Sequence, residues 1–360
     1  MAKSKIRLGI IGTGGMANQH ATSFSKIKGV ALASCLDVVP GRAEAFAEKH
    51  GIPRVARTPE ELFEEVDAVT IVTPDRFHQQ GALGVLRAGK HLLCEKPLTV
   101  TLEQARVVAR EAKKAEKRGL IGMVNFSYRR AAALQRAIEL SQRGALGELR
   151  HAHGFYLQSW IAAPIWGHWS NEGWLWRMST GAGSGGVLGD VGCHLLDLAT
   201  AVTGEVSEVR CALGTFPKIG EDGKPYTKWK KQALDANDSA LIELRFAEGG
   251  LGVLHTTRWA TGHANHLRLE VHGTEGALMF DLDRSYEQID LCLGRDKSSA
   301  KWKTESLKPA PSVYERFIRA IRTGTPEQPD LLRGAQIQAY LDAAERSAKS
   351  GGWERVRKST

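Results

Sequence analysis

Cysteine is scarce in this 360-residue chain: Cys35, Cys94, Cys193, Cys211 and Cys292 are scattered, odd in number and never spaced as Cys-x-x-Cys. That excludes a disulfide framework and a zinc ribbon, and reduced, mostly buried thiols are expected. Long apolar runs are missing too, none approaching the roughly 20 residues of a membrane span. The strand-like Ile6 to Ile11 begins after only five residues, which leaves no room for the apolar core of a secretory signal. A cytoplasmic protein without a membrane segment is therefore expected. No low-complexity tract or internal repeat interrupts the chain. The net charge of +9 comes without a helix-turn-helix or zinc motif, and Lys and Arg are spread along the chain, densest in 112–118 and at the C-terminal tail. Solvated helix faces explain them, and no nucleic-acid partner is expected.

What is present is an ordinary globular composition, 42% apolar and 25% charged, in a chain long enough to favour two cores over one. The apolar run Arg7-Leu8-Gly9-Ile10-Ile11 leads directly into Gly12-Thr13-Gly14-Gly15-Met16-Ala17. This reads as strand, tight turn and helix start. Gly12 permits the turn, Gly14 lets backbone approach a pyrophosphate, and Ala17 lets the helix pack on the strand, while the helix N-terminus favours negative charge. A second apolar run, Val30 to Leu36, ends in Asp37, 25 residues after Gly12. A carboxylate at that spacing accepts hydrogen bonds from ribose hydroxyls and repels a 2′-phosphate, so NAD is expected over NADP, with Arg42 near enough to soften the preference.

Alternation continues with a helix over 59–64, a strand over 68–73, a helix over 77–88, a strand over 91–94, a long helix over 102–117 and a strand over 120–126. Strands separated by helices predict a parallel sheet covered on both faces. Thr73-Pro74-Asp75 and Glu95-Lys96-Pro97 fall just past strand ends, where open α/β sheets bind ligands. From Gly147 onward, strand-like segments over 148–157, 207–213, 239–246, 250–259, 267–272 and 277–281 have few helices between them and predict an antiparallel sheet with one face buried against helices or a partner subunit. Helices are expected over 313–323 and 334–350.

Glu95-Lys96-Pro97, preceded by Ala88-Gly89-Lys90-His91 and by Thr73-Pro74 with His78, resembles the Gfo/Idh/MocA oxidoreductases. Gly12-x-Gly14, Gly185-Gly186-x-x-x-Asp190-x-Gly192-x-His194-x-x-Asp197, His272-Gly273-Thr274-Glu275-Gly276 and a helical stretch from Tyr314 to Gly351 extend the resemblance over nearly the whole chain, in the family's order. It implies an α/β protein: an N-terminal Rossmann domain, here 1–125, and a C-terminal α/β domain with a large, mostly antiparallel open sheet, here 126–360, used for substrate binding and oligomerisation. The usual reaction is reversible oxidation of a secondary alcohol in a pyranose, inositol or related ring. Cofactor contacts are expected from Gly12, Gly14, Gly15, Met16, Asp37, Arg42, Thr73, Pro74, His78, Glu95 and Lys96. A homodimer or homotetramer is expected as well.

Oxidising a carbinol needs a group that takes the hydroxyl proton at a pKa near working pH, and histidine is suited to it. His194 lies four residues after Asp190, so on an α-helix the two share a face. The resemblance makes His194 the acid/base, Asp190 its assistant and Lys96 the contact to the reacting oxygen. Asp197 continues that helical face, which invites a metal reading; nicotinamide chemistry needs no Lewis acid, so no metal is expected and a supporting or substrate-hydroxyl role falls to Asp197.

Five of the nine tryptophans, Trp160, Trp166, Trp169, Trp174 and Trp176, crowd one short segment with His168, Asn171, Glu172 and Arg177. Aromatic faces that pack on sugar C–H groups and an oligomer interface are both open readings. Trp174, Trp176, Arg177 and Arg129 join Lys96, Asp190 and His194 as candidate substrate contacts. Apart from Tyr128-Arg129-Arg130, no charged cluster marks the presumed site, which points to a neutral sugar or polyol. Two other functions share the cofactor: glycoside cleavage with tightly held NAD, and an NAD-binding sensor without turnover.

Overall fold

The computed structural model describes residues 5–360. They form two compact units. One reaches Ser127 and also takes in Pro311–Gln338; the other comprises Tyr128–Ala310 and Ala339–Lys358. The return of 311–338 to the first unit departs from two consecutive domains divided at 125/126.

In the first unit β1 (Ile6–Ile11), α1 (Gly15–Ser25), β2 (Val30–Leu36), α2 (Arg42–His50), β3 (Arg54–Val55), α3 (Pro59–Glu65), β4 (Ala68–Ile71), α4 (His78–Arg87), β5 (His91–Cys94), α5 (Leu102–Lys117) and β6 (Gly122–Val124) alternate. The strands pair in parallel in the order β3-β2-β1-β4-β5-β6. β4 is buried along its whole length, as a strand covered on both faces must be. Local signals mark the helix starts. Thr58 accepts a hydrogen bond from the Glu61 amide with Pro59 in the first turn, and Thr101 accepts one from the Gln104 amide. α2, absent from the sequence reading, buries Ala43, Phe46 and Ala47 at i, i+3 and i+4, a stripe that two alanines in a nine-residue helix make faint. Strand order reverses between β1 and β4, and this is where open α/β sheets hold ligands.

α9 (Val313–Thr323) opens with a complete Ser312/Glu315 capping box. Its Val313, Tyr314, Phe317 and Ile318 complete the core formed by Ile6, Leu8, Phe24, Leu93 and Met123. A helix distant in sequence thus closes one face of the first sheet.

The second unit contains α6 (Ala132–Gln142), β7 (Leu149–Leu157), α7 (Glu172–Leu175), α8 (Cys193–Thr203) and β8 (Val206–Gly214). Two short hairpins follow, β9 (Lys218–Ile219) with β10 (Pro225–Tyr226) and β11 (Lys228–Trp229) with β12 (Gln232–Ala233). Then come β13 (Ser239–Phe246), β14 (Leu251–Thr257), β15 (His266–Gly273), β16 (Gly276–Asp281), β17 (Gln288–Leu293), β18 (Lys303–Ser306), the helix α10 (Leu331–Ser350), which begins in the first unit, and β19 (Glu354–Arg355). Among the described residues nine strands form one sheet in the order β18-β17-β16-β15-β7-β14-β13-β8-β19. Every pair in it is antiparallel except β14 with β7.

Burial alternates strictly along β13 and β14: one face is covered and the other is open. β17 and β18 are absent from the sequence reading: Lys303-Thr304-Glu305-Ser306 carries no apolar residue, whereas β17 does alternate Ile289, Leu291 and Leu293. Nearly every residue of α8 is buried, the mark of a helix hydrophobic all round. No helix among the described residues is long and apolar enough to cross a membrane.

Candidate active site

The first unit forms a cradle for phosphates. Gly12 has φ of 89°, and a Cβ there would lie 2.7 Å from the Val72 carbonyl oxygen, so a side chain is excluded both by conformation and by contact. A Cβ on Gly14 or Gly15 would meet nothing within 4 Å; the space in front of α1 is open. Gly14 caps α1 without a side-chain hydrogen bond, leaving first-turn amides for an anion. Met16 lies beside them, half exposed. These features fit a dinucleotide pyrophosphate.

Asp37, at the end of β2, accepts hydrogen bonds from the Thr13 amide at 2.8 Å and the Thr13 hydroxyl at 2.9 Å on Oδ2, and from the Val39 amide at 2.9 Å on Oδ1. Arg42 Nη1 lies 3.9 Å from Oδ1. Burial alone would raise this carboxyl's pKa, but the hydrogen bonds and the Arg42 charge outweigh it and hold it below the usual carboxylate range. Asp37 is therefore ionised, and it ties the glycine turn to β2.

Thr73-Pro74 and Lys96 follow the ends of β4 and β5 at the same edge of the sheet, and Thr73 Oγ1 is buried with no hydrogen-bond partner among the described residues. Two residues expected to touch cofactor turn elsewhere. His78 is fully buried, its Nδ1 2.8 Å from the Pro97 carbonyl and its Nε2 2.8 Å from the Thr73 carbonyl. Both ring nitrogens face acceptors, which calls for the doubly protonated ring. Burial opposes that charge, yet Cys94, Asp75 and the Pro97 carbonyl outweigh it and push the pKa up to about 10. His78 fastens the two turns to each other instead of contacting a ligand.

Glu95 likewise points inward. His20 Nε2 lies 2.8 Å from Oε1, Asn125 donates to Oε1 at 2.6 Å, and the Lys96 amide donates to Oε2 at 3.0 Å. His20 Nδ1 lies 2.8 Å from the Thr70 hydroxyl, and Asn125 also donates to the Tyr314 hydroxyl at 3.1 Å. Burial raises the Glu95 pKa, but the bonds from His20 and Asn125 and the charges of His20 and Lys96 overcome it and hold it at about 2. Glu95 anchors the turn that carries Lys96, which itself stays partly exposed.

In the second unit Asp190 sits on a π-helical turn, Leu188–Gly192, that runs into α8. The α-helical spacing expected from Asp190 to His194 is thus replaced by a π-turn entering an α-helix, a device that often re-aims side chains at functional sites. Asp190 Oδ2 accepts from Arg258 Nη2 at 2.8 Å and lies 3.6 Å from Arg177 Nε. Arg258 is fully buried while Asp190 keeps 27% of its side chain exposed, so one end of the pair is open. The Arg177 guanidinium lies over Trp176 and Trp174, 4.5 and 5.0 Å from the ring centres, and that of Arg258 over Trp160 at 5.1 Å. Trp160 and Trp169 are core residues; Trp174, Trp176 and Arg177 form the accessible wall beside Asp190.

His194, in the first turn of α8, is buried with the Tyr128 ring edge-on at 5.1 Å and Tyr156 at 6.4 Å. The two tyrosine hydroxyls hydrogen-bond each other. Asn265 donates to the Tyr128 hydroxyl at 2.6 Å and accepts from the Tyr156 hydroxyl at 2.6 Å and from Gln158 at 2.9 Å. Burial first, and then the contact with Tyr128, push the Tyr156 pKa well above its usual value, so the phenol stays protonated.

Arg129, expected to touch substrate, is instead buried and closed in a bidentate pair with Asp197, Nε to Oδ2 and Nη2 to Oδ1 at 2.7 Å each. Both side chains are sealed from solvent, at 7% and 0% exposure, so this pair serves packing. Sequence reasoning missed Tyr156, Gln158, Arg258 and Asn265. Tyr156 is an inward residue of an alternating strand and Arg258 one step past β14, positions that carry no motif.

A Rossmann unit with an open phosphate cradle, together with a second unit that holds a buried histidine in the first turn of a helix and a half-open carboxylate on the turn before it, defines a nicotinamide-dependent dehydrogenase. Residues 6–126 match the oxidoreductase family with NAD-binding Rossmann fold, and residues 134–279 match the GFO/IDH/MocA C-terminal domain: the chain belongs to the Gfo/Idh/MocA oxidoreductases. It is 27% identical to levoglucosan dehydrogenase of Pseudarthrobacter phenanthrenivorans, over 97% of each chain. It is 31% identical to D-glucoside 3-dehydrogenase of Escherichia coli, over 71% of each. Among solved structures, levoglucosan dehydrogenase in complex with NADH and L-sorbose superposes with a TM-score of 0.86 at 26% identity, covering 99% of this chain and all of that one.

Proposed function

We propose that this chain oxidises one secondary alcohol of a neutral sugar, inositol or anhydro-sugar, with NAD as hydride acceptor, and runs the reverse reaction equally. His194 carries the reading: a buried imidazole bordered by Tyr128 and Tyr156, in the unit that also holds the Asp190 carboxylate. His194 takes the hydroxyl proton as the alcohol is oxidised and returns it in reduction. Asp190 contributes negative charge that favours the protonated ring, tempered by Arg258 and Arg177. Lys96, on the turn anchored by Glu95, donates a hydrogen bond to the reacting oxygen. NAD supplies the hydride acceptor, and Gly12, Gly14, Gly15, Met16, Asp37, Arg42, Thr73, Pro74 and Lys96 are the residues proposed to hold it.

Neutral substrates are favoured because the guanidinium groups of this unit nearest Asp190 and Asp197 each stand against a carboxylate, Arg129 on Asp197 and Arg258 and Arg177 sharing Asp190, so none stands apart as a dedicated anion clamp. Trp174 and Trp176 offer half-exposed faces for ring C–H groups, in keeping with the levoglucosan and D-glucoside dehydrogenases the chain resembles. Action in the cytoplasm is proposed with it, on five cysteines that are all free and buried. Assembly as a homodimer or homotetramer is proposed through the open sheet face, where Leu241, Leu251 and Val253 are exposed; sedimentation velocity reads the subunit number.

The test is NADH absorbance while the protein and NAD are offered inositols, aldoses, glucosides and anhydro-sugars. A rise is expected with at least one neutral ring compound. His194→Ala is expected to lower kcat by about 10²–10⁴-fold, the usual contribution of a positioned acid/base, with NAD affinity retained. Undiminished turnover in that variant would remove His194 from the mechanism.

A further inference from the structure

The open face of the nine-stranded sheet, proposed above as the assembly surface, also carries a cluster with no part in the hydride chemistry. β7 presents His151 and His153 on that face, two residues apart and so side by side. β15 presents Glu270 and His272, and the register sets Glu270 opposite His153 and His272 opposite His151. The four side chains occupy one quadrilateral of adjacent sheet positions. Glu270 Oε2 lies 3.5 Å from His153 Nε2, and Oε1 lies 3.2 Å from His272 Nε2. The three imidazole rings lie 5.8 to 6.2 Å apart, centre to centre.

We propose that His153, Glu270 and His272 bind a divalent transition metal of the zinc class on this face, with His151 or water as fourth ligand. Imidazole and carboxylate together are a zinc donor set, and bonds of about 2.0–2.1 Å in a tetrahedral site put neighbouring donor atoms about 3.3 Å apart. The Glu270 Oε1–His272 separation is close to that value, and all three donor atoms fall within 4.8 Å of one another. The donors are reachable, with His153 39% and His272 37% exposed and Glu270 deeper at 14%.

The flanking positions do not compete. On β14, Leu251 and Val253 stand opposite His151 and His153, and on β16, Met279 and Ala277 stand opposite Glu270 and His272. The exception is Arg268, whose Nη2 lies 3.0 Å from Glu270 Oε2. This cation repels a metal and shares the carboxylate, so it weakens the site without closing Oε1. This site departs from the expectation that the chain holds no metal; it is independent of the hydride chemistry.

The test uses untagged full-length protein stripped with EDTA, dialysed and titrated calorimetrically with zinc chloride at pH 7.5, with bound zinc counted by elemental analysis. One zinc per chain is expected at micromolar or tighter affinity, weakened at least tenfold by His153→Ala, Glu270→Gln or His272→Ala and unchanged by His50→Ala on α2. Arg268→Gln is expected to tighten binding several-fold, which a purely structural ion-pair cluster does not predict. Thermal unfolding in EDTA checks that each variant folds like the parent. No binding by the parent at 100 μM zinc, or equal binding by the His153→Ala/His272→Ala double variant, overturns the proposal. Because the readout is metal content, it is separate from any failure of the dehydrogenase reading.

Discussion

Two guanidinium–carboxylate pairs in the second unit look alike in a list of contacts and differ in the one respect that matters. Arg129 and Asp197 bury both partners, at 7% and 0% exposure, and satisfy each other through two 2.7 Å bonds. Arg258 is equally buried, yet its partner Asp190 is 27% exposed and holds Arg258 with one oxygen. In the closed pair both carboxylate oxygens accept from the one guanidinium. In the half-open pair, Asp190 stays partly open to solvent in front of the buried Arg258 cation. A charged pair is a candidate for function when one partner stays open to solvent.

The largest effect expected from this contrast is on stability. Arg129→Met removes the cation paired with the buried Asp197, and a loss of about 3–5 kcal/mol in urea denaturation follows for breaking a buried pair from one side. A loss below 1 kcal/mol would show that the pair is solvated and the contrast false. Next is Asp190→Asn, which keeps shape and a hydrogen bond to Arg258 but removes the charge. A fall of about 100-fold in kcat, equivalent to about 2.7 kcal/mol of barrier, is expected with KM little changed; unchanged kcat would place Asp190 with Asp197 as a packing residue.

The smallest effect extends the comparison to the first unit, where Glu95 is a buried carboxylate closed on all sides. Its folded pKa of about 2 lies below the ordinary value of 4.5, so its contribution is fully present above pH 4.5 and is lost as pH falls through about 2. Between pH 4.5 and 3 the parent should lose roughly 1–2 kcal/mol that Glu95→Gln does not lose. Parallel acid unfolding curves for the two proteins would deny Glu95 its anchoring role.

Legibility in the sequence followed how local each feature is. The glycine turn, the strand end at Asp37 and the α9 range were readable because each depends on a few neighbouring residues: small residues at Gly12 and Gly14, an apolar run ending at Asp37, and a 3.6-residue apolar period over 313–323. Arg129, Glu95 and His78, expected at the ligand, are buried on protein partners for a common reason. Each stands in a motif beside a residue that faces outward, and a motif does not say which of its members turns inward. The metal quadrilateral shows the same limit, since His151-x-His153 is visible in sequence but its pairing with Glu270 and His272 is set by strand register.

The sequence by itself determined the alternation of strands and helices, the phosphate cradle, the family and the identity of the candidate acid/base, because turn chemistry and hydrophobic period act over a few residues. Only the tertiary structure decided that Asp190 answers to Arg258, 68 residues away, that Arg129 is consumed by Asp197, and that residues 311–338 return to complete the first core. Those outcomes depend on burial and on partners distant in the chain, and the cost of leaving a charge unpaired away from water is what selects among them.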